Sequence, residues 1–585
     1  MTPNNFQSFI HLLEKEGELH RIKTEVDPYL EITEISIKAQ LEDKPAILFE
    51  NVKGSKFPLA INTMASAKRI ELALGEDPSK TGENLVNFVD SLNPPNIKSL
   101  WSNKKWIPNL LSTFPKTKRK SEVSENFLSN PNLSDLPLLH CWPEDGGKFI
   151  TLPLVVTQHP ENGSYNIGMY RMHMYDSKST GMHMQIEKGG GFHHYQAEQM
   201  GQPLELAVAI GGDPALILSA IMPLPEGIGE MQFCGMLRKS RTKLIKCKTI
   251  DLKAPAESEF ILEGYLNPNE RKLEGPFGDH FGHYSEAAEF PVFHINAIQH
   301  KNNPIYPATV VGKPPQEDKF MGDCTQSILG PLIKLIHPEI KSTWAYFEAG
   351  FHNLLVVSTE NRYTREPFKT ALGILGQGQL SLTKTIILVN SNVDVKNKSQ
   401  ILQEIRKNFN PQSDFLLLSK TPLDTLDFTG ESMHKGSKMI IDATGYNTNT
   451  VNPVPIPKDI RTFSNQIIDW RFIGNTLLAI SVKEIGRNVI NNLLSNKLLE
   501  NVKIIACVSE DVNIHNDVEL LWGIFTRFDP ASDVTFREAT IKGINPSYEG
   551  TMFIDATWKK GYQKPLVMDQ EIINKVESKW ETYWK

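Results

Sequence analysis

Three stretches of the chain carry side chains whose types and spacing could do chemistry. The first is Asn166-Ile-Gly-Met-Tyr-Arg171. On a regular strand Asn166 and Arg171 point to opposite faces, so a shared site needs a turn or bulge, which Gly168 can supply. An arginine there can clamp a carboxylate or phosphate through paired hydrogen bonds, or simply sit on a strand surface. The second is Glu274-Gly-Pro-Phe-Gly-Asp279-His-Phe-Gly-His283. Proline and two glycines bend the backbone between two acids. Acids that face one pocket have their pKa values pushed apart, which suits proton transfer; turn capping is the plainer use of such a pair. His280 and His283 form an isolated HxxH, a weak metal signal, and no HExxH occurs. The third, 219–230, reads as an apolar strand that ends in a Pro/Gly-rich turn with two acids. Beside an asparagine carbonyl, Glu230 could help hold a hard cation such as Mg²⁺ or Mn²⁺. The run Gly189-Gly190-Gly191 reads either as tight turns or as backbone approaching a ligand.

These residues need a scaffold, and the chain supplies signals for one. The spacing of Phe6, Ile10 and Leu13 predicts a helix over 6–16, and 18–23 and 45–49 read as strands. Segment 93–130 is rich in Pro, Asn, Ser and Lys; its basic run 116–120 reads as a solvated connector. From about 135 to 320, the stretches 150–158, 165–175, 204–210, 244–249, 260–265 and 292–298 are rich in β-branched or aromatic residues. Gly and Pro clusters punctuate them, which predicts an antiparallel or barrel-like central domain.

The last third alternates strand and helix and repeats itself. Lys384-Thr-Ile-Ile-Leu-Val, the helix face Ile401, Leu402, Ile405 and Phe409, and Pro411, Ser413 and Asp414 recur 119 residues later. The second set is Lys503-Ile-Ile-Ala-Cys-Val, then Leu520, Leu521, Ile524 and Phe528, then Pro530, Ser532 and Asp533. Asp442-Ala-Thr444 recurs as Asp555-Ala-Thr557 at an offset of 113, so the first copy carries six extra loop residues. Two copies are too few for a solenoid and predict a duplicated α/β domain.

The chain has 585 residues, 62 basic and 68 acidic side chains and a net charge of −6. That balance speaks against a general nucleic-acid or polybasic membrane-surface binder. Hydrophobic residues at 40% and charged residues at 22% fit a globular core rather than disorder. Five scattered cysteines without a CxxC predict neither a disulfide framework nor a zinc ribbon. The N-terminus lacks signal-peptide regions, and the apolar stretch 204–225 is broken by Gly211, Gly212, Asp213 and Pro214. The expectation is a reduced, cytoplasmic compartment. Walker, GxSxG and GxGxxG motifs are absent.

Taken together, Asn166–Arg171, Met222-Pro-Leu-Pro-Glu-Gly…Glu230, Glu274–Asp279, Gly436-Ser-Lys-Met and Asp442-Ala-Thr444 resemble the UbiD family of decarboxylases. The resemblance implies an α/β (α+β) protein: an N-terminal α/β region (1–110), a central split-barrel-like domain binding prenylated FMN (111–320), and α/β units at 321–445 and 446–585. It implies that Arg171, Glu274 and Asp279 are catalytic, with the acid kept protonated by its dry pocket. It places the cofactor against Thr151, Met169, Tyr170, Arg171, Met184, Gln185, Ile186, Gly189, Gly190, Met222 and Pro223. Lys384, with Lys503 as its repeat counterpart, is implied at the phosphate. Asn166 and Glu230 match two ligands of a divalent metal, with Mn²⁺ expected and K⁺ as a further ion. Lys188 stands where the family's third ligand, a histidine, usually lies; His193 and His194 are nearby. The long form resembles decarboxylases of 1,4-dihydroxy-6-naphthoate in menaquinone synthesis. The alternatives are a 4-hydroxy-3-polyprenylbenzoate decarboxylase of ubiquinone synthesis, or a scaffold protein with a decayed site. A flavin prenyltransferase as cofactor supplier, an aromatic acid substrate and a homo-oligomer are implied partners.

Overall fold

The structure, a computed structural model, describes residues 2–91, 111–184, 189–224, 227–445 and 453–585. The chain forms two compact units, Met1–Ile328 with Pro565–Lys585, and Leu329–Lys564. Helices and strands are mixed throughout, as expected. Among the described residues no helix is long and apolar enough to cross a membrane.

The first unit begins with helix Phe6–Lys15, which Asn5 caps and which buries Phe6, Phe9, Ile10 and Leu13. Strands Leu19–Ile22 and Ala46–Phe49 pair in parallel. The centre is a seven-stranded antiparallel sheet. Its order is Ser179–Gly181, Ala288–His300, Phe260–Glu274, Leu204–Ile210, Pro153–Gln158, Tyr165–Gly168, with Asn126–Leu128 pairing Ala288–His300. Leu206 to Ile210 are fully buried, which is why that run of apolar residues forms a central strand. Among the described residues the sheet does not close: Tyr165–Gly168 takes no second strand, and helix Gly189–Gln199 packs against it. The antiparallel central domain expected from the sequence is present, as an open sheet.

Two further readings change. Among the described residues no strand forms at 219–230: Asp213 caps helix Pro214–Ser219, with Pro214 in its first turn, and a second helix runs Glu230–Arg238. The triple glycine opens helix Gly189–Gln199 rather than a turn. Gly264 marks a register shift in the long Phe260–Glu274/Ala288–His300 pair, and a Cβ there would overlap the His294 carbonyl. Because backbone yields less readily than a side chain, G264A should cost about 3 kcal/mol, the upper end for overpacking, in a denaturant titration.

The second unit holds two five-stranded sheets with one topology. Their orders are Ile340–Ala345, Leu355–Thr359, Thr385–Asn390, Lys435–Asp442, Phe415–Pro422, and Ile467–Ile473, Leu477–Val482, Ile504–Ser509, Asn545–Ala556, Val534–Lys542. In both, the outer pairs are antiparallel and the inner pairs parallel. The repeat seen in sequence is thus a repeat of fold. The tail, read on sequence as part of the second copy, returns to the first unit. Helix Gln570–Tyr583 packs on helix Glu31–Leu41, where Tyr583 donates to Glu31 Oε1 at 2.8 Å.

Candidate active site

Arg171 sits just past the strand Tyr165–Gly168 and before Met172–His173. The strand breaks at Gly168, where a Cβ would overlap the Tyr170 ring. That break supplies the turn that the spacing of Asn166 and Arg171 demanded. Glu274 ends the long strand Phe260–Glu274; Gly275, at φ +91°, turns the chain in a region that favours glycine. Asp279 then sits in a tight turn, with its N–H on the His283 carbonyl at 3.1 Å and its carbonyl accepting from Gly282 N at 2.9 Å.

These three residues converge. Arg171 Nε donates to Glu274 Oε1 at 2.9 Å, and Nη2 to Glu274 Oε2 at 3.1 Å and to Ser285 Oγ at 2.9 Å. Arg171 Nη1 pairs with Asp279 Oδ2. The guanidinium carbon lies 4.7 Å from the Phe277 ring centroid, a cation–π contact. Glu274 is sealed at 0% side-chain exposure, while Asp279 keeps 13%. His183 Nδ1 meets Glu274 Oε2 at 3.1 Å, and His280 Nδ1 meets Asp279 Oδ1 at 2.8 Å.

The electrostatics differ from the expectation. Burial alone raises both carboxylates. For Glu274 the Arg171 charge and hydrogen bonds from His183 and Arg171 outweigh it, and the pKa falls to about 2. For Asp279 burial is outweighed by His280 and then Arg171, so its pKa is also held low. Both acids therefore stand ionised in the free protein, instead of one keeping its proton. Burial and the charge of Arg171 hold His183 below the usual histidine range. A neutral His183 thus donates from Nδ1 to Glu274.

Sequence reasoning missed the acids next to this cluster. Asp145 accepts from Gly278 N at 2.7 Å, Trp142 N at 2.9 Å and Cys141 N at 3.1 Å, and burial pushes its pKa up to about 7. Its only sequence signal was a Glu-Asp-Gly-Gly turn. Burial likewise raises Asp318 to about 7, opposed by the charge of His280. The tail also reaches this region without any local signal: Leu566 N donates to the Gly282 carbonyl at 3.0 Å, inside the Asp279 turn.

The other expected residues fall in three groups. Glu230, at the start of its helix, accepts from Ile167 N at 2.9 Å, so it lies beside Asn166; burial raises its pKa. Asn166 Nδ2 is buried without a hydrogen-bond partner among the described residues, and a Cβ on Gly189 would overlap Asn166 Oδ1. Glycine at 189 thus makes room for the Asn166 amide oxygen near the Glu230 carboxylate, two oxygen donors of the kind a hard cation takes. Among the described residues no group of three His, Cys, Asp or Glu side chains forms a metal cluster. His193 Nδ1 is within 2.9 Å of Thr157 Oγ1, and His194 Nε2 is 3.6 Å from Glu198. Tyr170 is buried and its hydroxyl accepts from Gly190 N at 3.1 Å; Met184 and Met222 are buried. Met169 is half-buried and Pro223 exposed. Thr151 Oγ1 accepts from Thr309 N at 3.1 Å. Gln185, Ile186 and Lys188 lie outside the described residues. Lys384, in the second unit, is fully buried and paired with Asp427 Oδ2 at 2.8 Å, while Lys503 Nζ donates to the Phe409 carbonyl at 2.6 Å.

An open antiparallel sheet carrying an arginine between two buried carboxylates, followed by α/β units, is an arrangement that comparison with known proteins assigns to the carboxy-lyases. The chain belongs to the UbiD family, whose members are decarboxylases. Family profiles match the 3-octaprenyl-4-hydroxybenzoate carboxy-lyase N-terminal domain at residues 10–89 and the Rift-related domain at 115–314. The C-terminal domain profile matches at 319–443 and again at 470–556, one match for each repeat. A Chlamydia pneumoniae protein, named as a component of a 4-hydroxybenzoate decarboxylase, is 36% identical, covering 98% of this chain and 97% of its own. An uncharacterised Archaeoglobus fulgidus protein is 41% identical over 446 residues, 76% of this chain and 92% of its own. The vanillic acid decarboxylase of Sedimentibacter hydroxybenzoicus, in closed form, superposes with a TM-score of 0.68 at 26% identity, covering 85% of this chain and 100% of that one.

Proposed function

We propose that this chain decarboxylates an aromatic acid with prenylated FMN, and that its substrate is 1,4-dihydroxy-6-naphthoate in menaquinone synthesis. The observation that carries the chemistry is the Arg171–Glu274–Asp279 cluster. The substrate reading rests on the long form with its second repeat and on the stretch Thr180-Gly-Met-His-Met…Gly-Gly-Gly-Phe-His-His-Tyr195, which resembles the menaquinone-pathway branch of the family. Loss of CO₂ leaves an electron pair on carbon, and no side chain is a good sink for it. Prenylated FMN, when bound, supplies that sink. Tyr170, Met184, Gly190 and Met222 would line its site, and Asn166 and Glu230 would hold the divalent cation at its phosphate.

The protein's own part is proton placement. Arg171 fixes both carboxylates and keeps them ionised in the free enzyme. An anionic substrate carboxylate arriving beside Asp279 raises the proton affinity of that side chain, because like charges disfavour ionisation. Asp279, the less buried acid, takes up a proton from solvent and then delivers it to the carbon that lost CO₂. Glu274, sealed and bound by Arg171 and His183, holds the arginine in place.

The test is protein co-expressed with a flavin prenyltransferase and assayed for CO₂ release from 1,4-dihydroxy-6-naphthoate and from 4-hydroxybenzoate. Turnover of the naphthoate is expected. Turnover of 4-hydroxybenzoate alone would favour a second reading, which the Chlamydia pneumoniae relative's name motivates. No turnover and no solvent-deuterium exchange with either acid would sink both. The cation is tested separately: E230Q should weaken Mn²⁺ binding at least about tenfold by titration calorimetry, since it removes the anionic ligand.

A further inference from the structure

The two repeats meet through the same parts of each copy. Helix Lys398–Asn408 of the first meets the turn after Ile467–Ile473 in the second. There Thr476 Oγ1 donates to the Leu402 carbonyl at 2.9 Å. Conversely, helix Asp517–Phe525 of the second copy meets the Phe347–Ala349 segment of the first, and Asn353 Nδ2 donates to the Phe525 carbonyl at 2.8 Å. Turn Pro411–Asp414 packs on strand Asn545–Ala556, and turn Pro530–Asp533 packs on strand Lys435–Asp442. Beside the latter, Ser437 N and Oγ donate to Asp529 Oδ1 at 2.9 and 2.7 Å.

The equivalent lysines follow the same rule. Lys503 Nζ donates to the Phe409 carbonyl at 2.6 Å. Lys384 Nζ lies 5.0 Å from the centroid of Phe528, the counterpart of Phe409. Phe415 and Phe536 meet at 4.8 Å between centroids. Ile401, Ile405 and Phe409 share one buried cluster with Leu520, Ile524 and Phe528.

Contacts in which part i of one copy meets part j of the other, and j meets i, are the mark of a two-fold interface between identical protomers. Here both halves lie in one polypeptide. Each copy alone would expose the apolar helix face that now lies in the shared cluster, a patch that calls for cover. The Archaeoglobus fulgidus relative uses 92% of its length to align with 76% of this chain, so it lacks a segment of about one repeat. We propose that the second repeat occupies the face through which one C-terminal α/β unit pairs with a copy of itself. This chain carries within itself the two-fold contact that a single-copy chain makes with a second copy, and it does not pair with another copy through that face.

The test compares the full chain with a variant lacking residues 453–564, which keeps the returning tail, by sedimentation velocity and isotope-mixed lysine cross-linking. In an equal mixture of light and heavy full chains, cross-links between the two repeats should all be light–light or heavy–heavy. The deletion variant should show twice as many chains per particle as the full chain, with mixed light–heavy links between its C-terminal units. Mixed links between these faces in the full chain, or a folded deletion variant with an unchanged number of chains, would overturn the proposal. Should the variant fail to fold by circular dichroism, the purified Archaeoglobus relative takes its place. Inter-chain links between its C-terminal units are expected, and their absence would equally overturn the proposal.

Discussion

R171Q should lose turnover by at least about 10³-fold and reverse the pH dependence of the site's stability. The guanidinium makes hydrogen bonds to Glu274 through Nε and Nη2, to Ser285 through Nη2, and pairs with Asp279 through Nη1. A neutral amide cannot replace that fork, and neither can lysine, which offers a point charge without the planar geometry. Loss of a preorganised charge at such a site costs about 10²–10³ in rate, and loss of carboxylate positioning adds to it. Breaking a buried ion pair costs about 3–5 kcal/mol because the remaining charges are left uncompensated.

The pH argument separates this from a simple packing defect. In the native protein Glu274 has a pKa of about 2, below the ordinary value of about 4.3 for an unfolded chain. Its contribution to stability is present above the unfolded value and is lost as pH falls through about 2. Without Arg171, burial and mutual repulsion lift the pKa values of Glu274 and Asp279 above their unfolded values. Their contribution is then complete below the unfolded pKa and is lost as pH rises through the raised folded values. Denaturant titrations from pH 5 to pH 8 should show the gap between native protein and R171Q widening with pH. Parallel curves would mean that Arg171 does not set the ionisation of its two partners.

How much of this was legible in the sequence depends on how local each signal is. Glu274 and Asp279 flank a Gly-Pro-Phe-Gly turn, so their proximity was written within six residues. The repeat was legible because the same helical face recurs at constant spacing. Arg171 joined the acids by resemblance rather than by spacing, since more than a hundred residues separate them. What could not be read was set by distant parts of the chain. The ionised state of the acids depends on that long-range pairing, and local reasoning about a dry pocket gave the opposite sign. Asp145 matters because its carboxylate ties the Cys141–Trp142 turn to Gly278, a contact across 133 residues. The antiparallel central domain was legible in its strand-rich segments, but the helix that begins at three glycines and packs on Tyr165–Gly168 was not. The tail was misplaced for the same reason, because Tyr583 finds Glu31 across 552 residues.

D279N should lower kcat by about 10²–10⁴-fold, the range for removal of a general acid, while leaving the fold and the Arg171–Glu274 pair intact. The two acids are not equivalent. Glu274 has no exposed surface and is bound by Arg171 and His183, whereas Asp279 retains some exposure, the condition for reaching a substrate carbon in the proposed reaction. An asparagine at 279 keeps one acceptor oxygen, enough for His280 or Arg171 but not for both, and has no proton to give at the moment carbon needs one. D279N should therefore lose both CO₂ release and incorporation of solvent deuterium into product carbon. E274Q should keep deuterium incorporation coupled to whatever turnover survives, because its role is to hold Arg171. A further consequence concerns pH. Asp279 is held ionised well below neutrality in the free enzyme, so it contributes no limb to kcat/KM between pH 5 and pH 8. A limb near pH 7 would belong to Asp145 or Asp318, both raised to about 7, and D145N or D318N should remove it. If D279N retains near-native deuterium incorporation while E274Q loses it, the assignment of the two acids is the wrong way round.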